Sequence, residues 1–176
     1  MSEIAVWFER KFSFEFPADL FPNFRIRLRG TPARLEDLTR GLDVVQLTHQ
    51  PDDKWSIQEN AGHLLDLEEL WSKRVDDFLA GADVLAAADL TNKRTNDAGH
   101  NEKPLEAILR EFRTTRLRWV ERLDRVRPYE FSRTAKHPRL EMSMRLVDHL
   151  YFVAEHDDHH LSRIWELKRQ ESGLRI

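Results

Sequence analysis

Four of the chain's eight histidines fall within a dozen residues, in Asp148-His149-Leu150-Tyr151-Phe152-Val153-Ala154-Glu155-His156-Asp157-Asp158-His159-His160. At about 100° per residue, a helix through this stretch sets His156 and His160 one turn apart on one face. His149 lies on the same face two turns earlier. Leu146, Leu150, Val153, Ile164 and Leu167 recur on that face, so it points into a core. Buried imidazoles need partners, because an unpaired polar group in an apolar seam is costly. A divalent metal is the partner that uses two imidazoles four residues apart. A third donor is required, and His63, in Glu59-Asn60-Ala61-Gly62-His63-Leu64-Leu65-Asp66, is the best candidate. It shares a face with Leu67, Leu70 and the stem of Arg74, so it also points inward. Three neutral imidazoles with an open position are the pattern of a catalytic site, in which the metal polarises a carbonyl or lowers the pKa of water or a thiol. Zinc or nickel suits such ligands, and binding is expected to fade below about pH 6, where protons compete for the imidazoles.

Other candidates have plainer readings beside the chemical one. Glu59, one turn before His63, either orients an imidazole or acts as a base, but a helix-capping role already explains it. His159 is turned 100° from His160, to the edge of the core face. It reads as a partly exposed histidine, with a proton carrier beside the site as the alternative. His149 either lines the cavity above the metal or bonds within the core. The polar stretch from Asp89 to His100 is a solvated crossover or the cover of a cavity mouth. The five tryptophans read as packing residues. A phosphate-cradling glycine loop and a G-x-S-x-G elbow are both missing from the sequence. A di-iron bundle needs two Glu-x-x-His motifs, and the spacing here does not supply them.

The elements that must position these residues are four helices, with no convincing sheet. Thr31-Pro32 reads as a cap and first turn, followed by Leu35, Leu38, Leu42 and Val45 at helical spacing. Ser56-Ile57-Gln58-Glu59 is a capping box that opens a second helix through Ile57, Ala61, Leu64, Leu67, Trp71, Val75 and Phe78, ending at Gly81. Asn101 and Pro104 open a third, through Leu105, Ile108, Phe112, Leu117, Val120 and Leu123, which ends before Pro128. The fourth starts near Glu141 and runs to about Gln170, with Gly173 just beyond. The short link between the first two helices favours antiparallel neighbours. The link of about twenty residues between the second and third, at ~3.3 Å each, is long enough for those two to run parallel. Phe12, Phe14 and Phe16 alternate with polar residues, as a strand would. A lone strand has nothing to pair with, so an extended arm laying aromatics onto the bundle is the better reading.

With 176 residues, 34% charged and 40% apolar, the chain has room for one ordinary domain spanning 1–176. Arg is abundant but interleaved with acids, as in Arg110-Glu111 and Glu121-Arg122, and the net charge is −3. That balance gives no case for nucleic acid. No apolar run exceeds five residues, Val84 to Ala88 being one, which is far short of a membrane span. Without cysteine there are no disulfides, thiolate ligands or cysteine nucleophile. No apolar signal segment opens the chain, and a cytoplasmic location is expected.

Trp55-Ser56-Ile57-Gln58-Glu59, His63-Leu64 and Glu155-His156-Asp157-Asp158-His159-His160-Leu161 together resemble the DinB/YfiT-like superfamily of metal-binding four-helix bundles. The likeness runs the length of the chain in order and spacing, from Gly30-Thr31-Pro32 to the last helix. It implies an all-α, four-helix bundle of up-down-down-up topology, here with an extended aromatic N-terminal arm. It also implies a divalent metal, often zinc or nickel, on one histidine of the second helix and an H-x-x-x-H pair of the fourth: His63, His156 and His160. Leu161-Ser162-Arg163 departs from the Arg-Gly-Gln that many relatives carry there. The function implied is a metal-dependent hydrolase of a small molecule. A thiol S-transferase of the same superfamily and a non-catalytic metal- or ligand-binding bundle are the alternatives. The resemblance, with the aromatic Trp7, Phe8, Phe12, Phe14 and Phe16, also raises the expectation of a homodimer.

Overall fold

The computed structural model describes residues 4–171, so the glycine stop expected at Gly173 lies outside them. Its helices are α1 (Phe21–Thr39), α2 (Val44–Thr48), α3 (Ile57–Asp66), α4 (Glu68–Ala80), α5 (Lys93–Asp97), α6 (Leu105–Arg122) and α7 (Leu146–Glu171). Four limbs build the bundle: α1, α3 continued by α4, α6 and α7. Long-range contacts give their directions. Phe24 meets Tyr151, Arg27 reaches Glu155 and Asp158, and Lys168 donates to the Leu38 carbonyl, so α1 and α7 ascend together. Asn60 faces His160 and Trp71 faces His149, so α3 and α4 descend against α7. Glu36 pairs with Arg113 and Arg25 with Asp124, so α6 descends against α1. The result is a four-helix bundle running up-down-down-up.

The short link between the first and second limbs makes them antiparallel, as expected, but not neighbours. Each packs on α6 and α7, so they lie across the bundle from each other. Residues 40–56 span its end with α2 and a short turn at 51–53.

Several boundaries differ from the sequence reading, each for a physical reason. Helix α1 begins at Phe21, and Pro32 lies inside it. Proline has no N–H to give the carbonyl of Leu28, which would normally break a helix. Here Arg116 of α6 donates to that carbonyl at 3.3 Å, so the orphaned acceptor is met from outside. Helix α1 stops at Thr39, before the positive φ of Gly41 (+77°), and Leu42 lies beyond it. The second limb opens with the expected Ser56–Glu59 capping box and closes on Gly81 in the left-handed region, but has a one-residue break at Leu67.

The fourth helix starts at Leu146, not near Glu141. Residues 134–145 instead form a hairpin of β1 (Thr134–Lys136) and β2 (Ser143–Arg145), with Glu141 at positive φ in its turn. The Asp148 carboxylate accepts from Arg145 N at 2.8 Å and caps the helix there. The N-terminal residues form the expected aromatic arm. Phe12 packs on Phe152, and Phe14 and Phe16 on Tyr151. Apolar cores fill the two ends of the bundle, one around Phe78, Trp119 and Leu150 and the other around Leu35, Phe112 and Ile164. Between them lie the buried Glu68, Arg116 and Asp157, joined by ion pairs. Among the described residues no helix is long and apolar enough to cross a membrane.

Candidate metal centre

Antiparallel α3 and α7 bring His63 opposite the gap between His156 and His160. One nitrogen from each ring lies within 4.8 Å of the others. The ring centroids of His63 and His160 are 4.6 Å apart, those of His156 and His160 4.6 Å, and those of His63 and His156 5.3 Å. All three side chains are buried. Burial holds each imidazole neutral: it pushes the pKa of His63 down to about 4 and those of His156 and His160 well below the usual value.

The protonated nitrogen of two rings is fixed by their neighbours. The Asp66 carboxyl is held below the usual range: burial alone would raise it, but hydrogen bonds from His100 and Thr95 outweigh that. Ionised, Asp66 only accepts, so the Thr95 hydroxyl donates to it at 2.9 Å. Thr95 Oγ1 must then accept the proton on His63 Nδ1, 3.0 Å away. His160 Nδ1 lies 2.9 Å from Asn60 Oδ1. The Asn60 amide nitrogen donates to the carbonyls of Trp55 and Ser56, which settles which way the amide faces and makes Oδ1 the acceptor for His160. Both rings therefore carry their proton on Nδ1 and keep the Nε2 lone pair free. His156 Nδ1 is buried with no hydrogen-bond partner among the described residues. Three neutral imidazoles, two with locked outer nitrogens and one unsatisfied, fit a divalent metal. Among the described residues the cluster has three donors rather than four, the count of an open site rather than a closed structural one.

The cluster forms part of the wall of a cleft of about 530 Å³. Trp7, Trp55 and Trp71 also line it, so these tryptophans are not merely packing residues. Trp165 is half exposed on α7. His159 lines the cleft, half-buried, its ring 5.1 Å from that of His160, with burial lowering its pKa to about 4. His149 is fully buried between Trp71 and Phe78, away from the cleft lining. The carboxylate of Glu59 accepts from Ser56 N and Gln50 Nε2, as the capping reading requires.

The Asp89–His100 crossover does two things. Asp89, Leu90 and Asn92 edge the cleft, while Thr95 and His100 turn inward to support His63 through Asp66. Gln58 ties this crossover to α3 by donating to the carbonyls of His100 and Lys103. Gly62 permits the approach, since a Cβ there would collide with the His100 ring. Sequence reasoning missed Asn60, Asp66, Thr95 and His100. The one local hint was Gly62 directly before His63, a residue without a side chain on a helix face otherwise built for packing.

A family model described as the DinB superfamily matches residues 27–164. Among solved structures, the chain is similar to YfiT from Bacillus subtilis, described as a probable metal-dependent hydrolase with an unusual four-helix bundle topology. The TM-score is 0.80 and the identity 20%, over 93% of this chain and 94% of that one. No curated protein matches the sequence.

Proposed function

The chain belongs to the DinB superfamily, and on that premise we propose that it is a divalent-metal-dependent hydrolase of a small molecule, with His63, His156 and His160 as the metal ligands. The observation that carries this reading is the convergence of three neutral imidazoles, one unpartnered, on a cleft large enough for a small substrate. The likeness to YfiT, described as a probable metal-dependent hydrolase, supports it. Zinc or nickel suits a donor set of imidazoles without thiolates. When bound, such an ion supplies Lewis acidity, polarising a carbonyl and making water acidic enough to serve as a nucleophile near neutral pH.

The chain's own residues do the rest. Thr95 and Asn60 hold two imidazoles in the ligating tautomer and orientation. Trp7 and Trp71 wall off the His156 ring, at 5.0 and 5.5 Å between centroids, and exclude water from that side. His159, neutral because burial lowers its pKa to about 4, is a proton acceptor in the cleft wall at physiological pH.

The test is metal analysis followed by turnover of small esters and amides. Protein purified without chelator should carry about one divalent ion per chain. Hydrolysis should vanish on chelation and return with zinc or nickel. His159→Ala should slow turnover without emptying the site. Failure to take up metal on titration would overturn the reading, and turnover that requires an added low-molecular-weight thiol would replace hydrolysis with thiol transfer.

A further inference from the structure

Beyond the imidazoles of the cluster, the same cleft is lined by Arg74, His137 and Arg139. Arg139, in the turn between β1 and β2, has a buried Nη2 with no hydrogen-bond partner among the described residues. Its guanidinium lies over aromatic faces, 5.4 Å from Phe8, 5.7 Å from Phe152 and 6.0 Å from Trp7. Arg74 of α4 is buried against Trp71, gives Nε to the Ala86 carbonyl and points Nη1 at His137 Nε2, 3.0 Å away. The other nitrogen of His137 faces Leu140 N at 3.2 Å. A neutral imidazole accepts at one nitrogen only, so Arg74 and Leu140 compete for one lone pair and one N–H goes unmet. Protonation would remove that lone pair as well, and burial and the two guanidiniums hold the ring neutral by pushing the His137 pKa down to about 3.

Among the described residues no carboxylate hydrogen-bonds to Arg74 or Arg139. Elsewhere in the molecule Arg10, Arg27, Arg113, Arg116, Arg122 and Arg145 all have carboxylate partners. Asp77, whose charge acts on Arg74, is itself taken up by Lys73 and by Ala86 N. Two guanidiniums without a hydrogen-bonded carboxylate, one of them with an unmet buried donor, in an aromatic-walled cleft are a site for an anion from outside.

We propose that Arg139, backed by Arg74 and His137, is the subsite for a carboxylate on the substrate, so that the protein acts on small organic acids with an apolar spacer between the carboxylate and the scissile group. The spacer follows from what lies between the two sites. Trp7 touches both the Arg139 guanidinium and the His156 ring, and Trp71 touches both Arg74 and His156. A carboxylate rather than a phosphate follows from the donors. The planar fork of one arginine carries the free N–H, which matches a planar monoanion. Calling this anion a substrate's carboxylate rests on the hydrolase reading of the cleft. The subsite itself uses no residue of the histidine cluster.

The test compares 4-phenylbutyrate with its uncharged amide by calorimetric titration of protein stripped of metal with EDTA. The acid should bind about tenfold or more tightly than the amide. Arg139→Gln should abolish that preference, and Arg139→Lys, which keeps the charge but loses the fork, should leave part of it. His156→Ala, which removes a metal ligand, should keep it. Protein that carries no metal when purified without chelator and takes none up on titration, yet keeps the preference, would sink the hydrolase reading and leave the subsite standing. Equal binding of acid and amide, or no binding of either, would overturn the subsite. Acid binding that appears only with metal loaded and ignores Arg139→Gln would also overturn it, placing the carboxylate on the metal. Tighter binding by inorganic phosphate would overturn the choice of carboxylate.

Discussion

Asp157 and His156 are adjacent on α7, both buried, yet the helical turn of about 100° between them sends them into opposite surroundings. Asp157 enters a closed network inside the bundle. Arg116, fully buried, directs its N–H groups to Glu68, Asp157 and the Leu28 carbonyl. Trp119 adds a bond to Glu68, and Thr31 one to Asp157. One guanidinium serves both carboxylates, with burial and the neighbouring Asp157 pushing the Glu68 pKa up, and the network also meets the carbonyl that Pro32 leaves orphaned. His156 lines the cleft, its buried Nδ1 has no partner among the described residues, and the buried Nη2 of Arg139, which lines the same cleft, is in the same condition. Burying polar groups is unfavourable in both places, but only on one side does the fold itself offset it. Where the chain satisfies its own buried groups the purpose is architecture. Where it leaves them unsatisfied beside a cavity, we propose that the missing partner comes from outside.

The sharpest way to break this contrast is to remove donors on the open side. His63→Ala, His156→Ala or His160→Ala should each reduce metal content from about one ion per chain to none, with the helical fold retained by circular dichroism. A variant of this set that kept its metal would take that residue out of the ligand set. On the closed side, Arg116→Met should leave the fold with two buried carboxylates and no cation. A loss of about 3–5 kcal/mol in urea unfolding is expected, and a loss under about 1 kcal/mol would mean the network is not the closed unit described here.

A third test uses pH. His63, His156 and His160 titrate lower in the folded chain than in the unfolded one, so stability is complete above the unfolded value near 6.5 and is lost as pH falls toward about 4. Metal-free protein should therefore melt at progressively lower temperature across that window. Proton competition for the folded site is likewise displaced downward from the pH 6 expected of ordinary histidines, so metal should be retained at about pH 5.5 in equilibrium dialysis. A flat melting temperature from about pH 7 to 4.5 would show that these rings are not held neutral.

Smaller still is Thr95→Val, which removes the acceptor for His63 Nδ1 while keeping shape. Metal affinity should weaken about 10–100-fold, read by competition with a chromophoric chelator. His149→Ala and His159→Ala should leave affinity unchanged. Weakened binding in His149→Ala would mean that this ring reaches the site after all.

What the sequence determined by itself were the properties that follow from helical period and from local hydrogen bonds. The stripes of Leu, Val and Phe mark four limbs, and Ser56 with Glu59 caps the second. His156 and His160 share a face of the last helix with Ile164, and that seam turns the imidazoles inward, because side-chain direction in a helix repeats about every 3.6 residues. Tertiary structure decided everything that depends on a partner far along the chain. Pro32 reads as a helix start until Arg116, 88 positions beyond Leu28, is seen to meet the Leu28 carbonyl. Thr95 and His100 read as loop polarity until the crossover folds back on His63, and Trp7 reads as packing until the arm closes the cleft. Unmet groups are invisible to any local pattern, since a donor lacks a partner only once every other element has been placed.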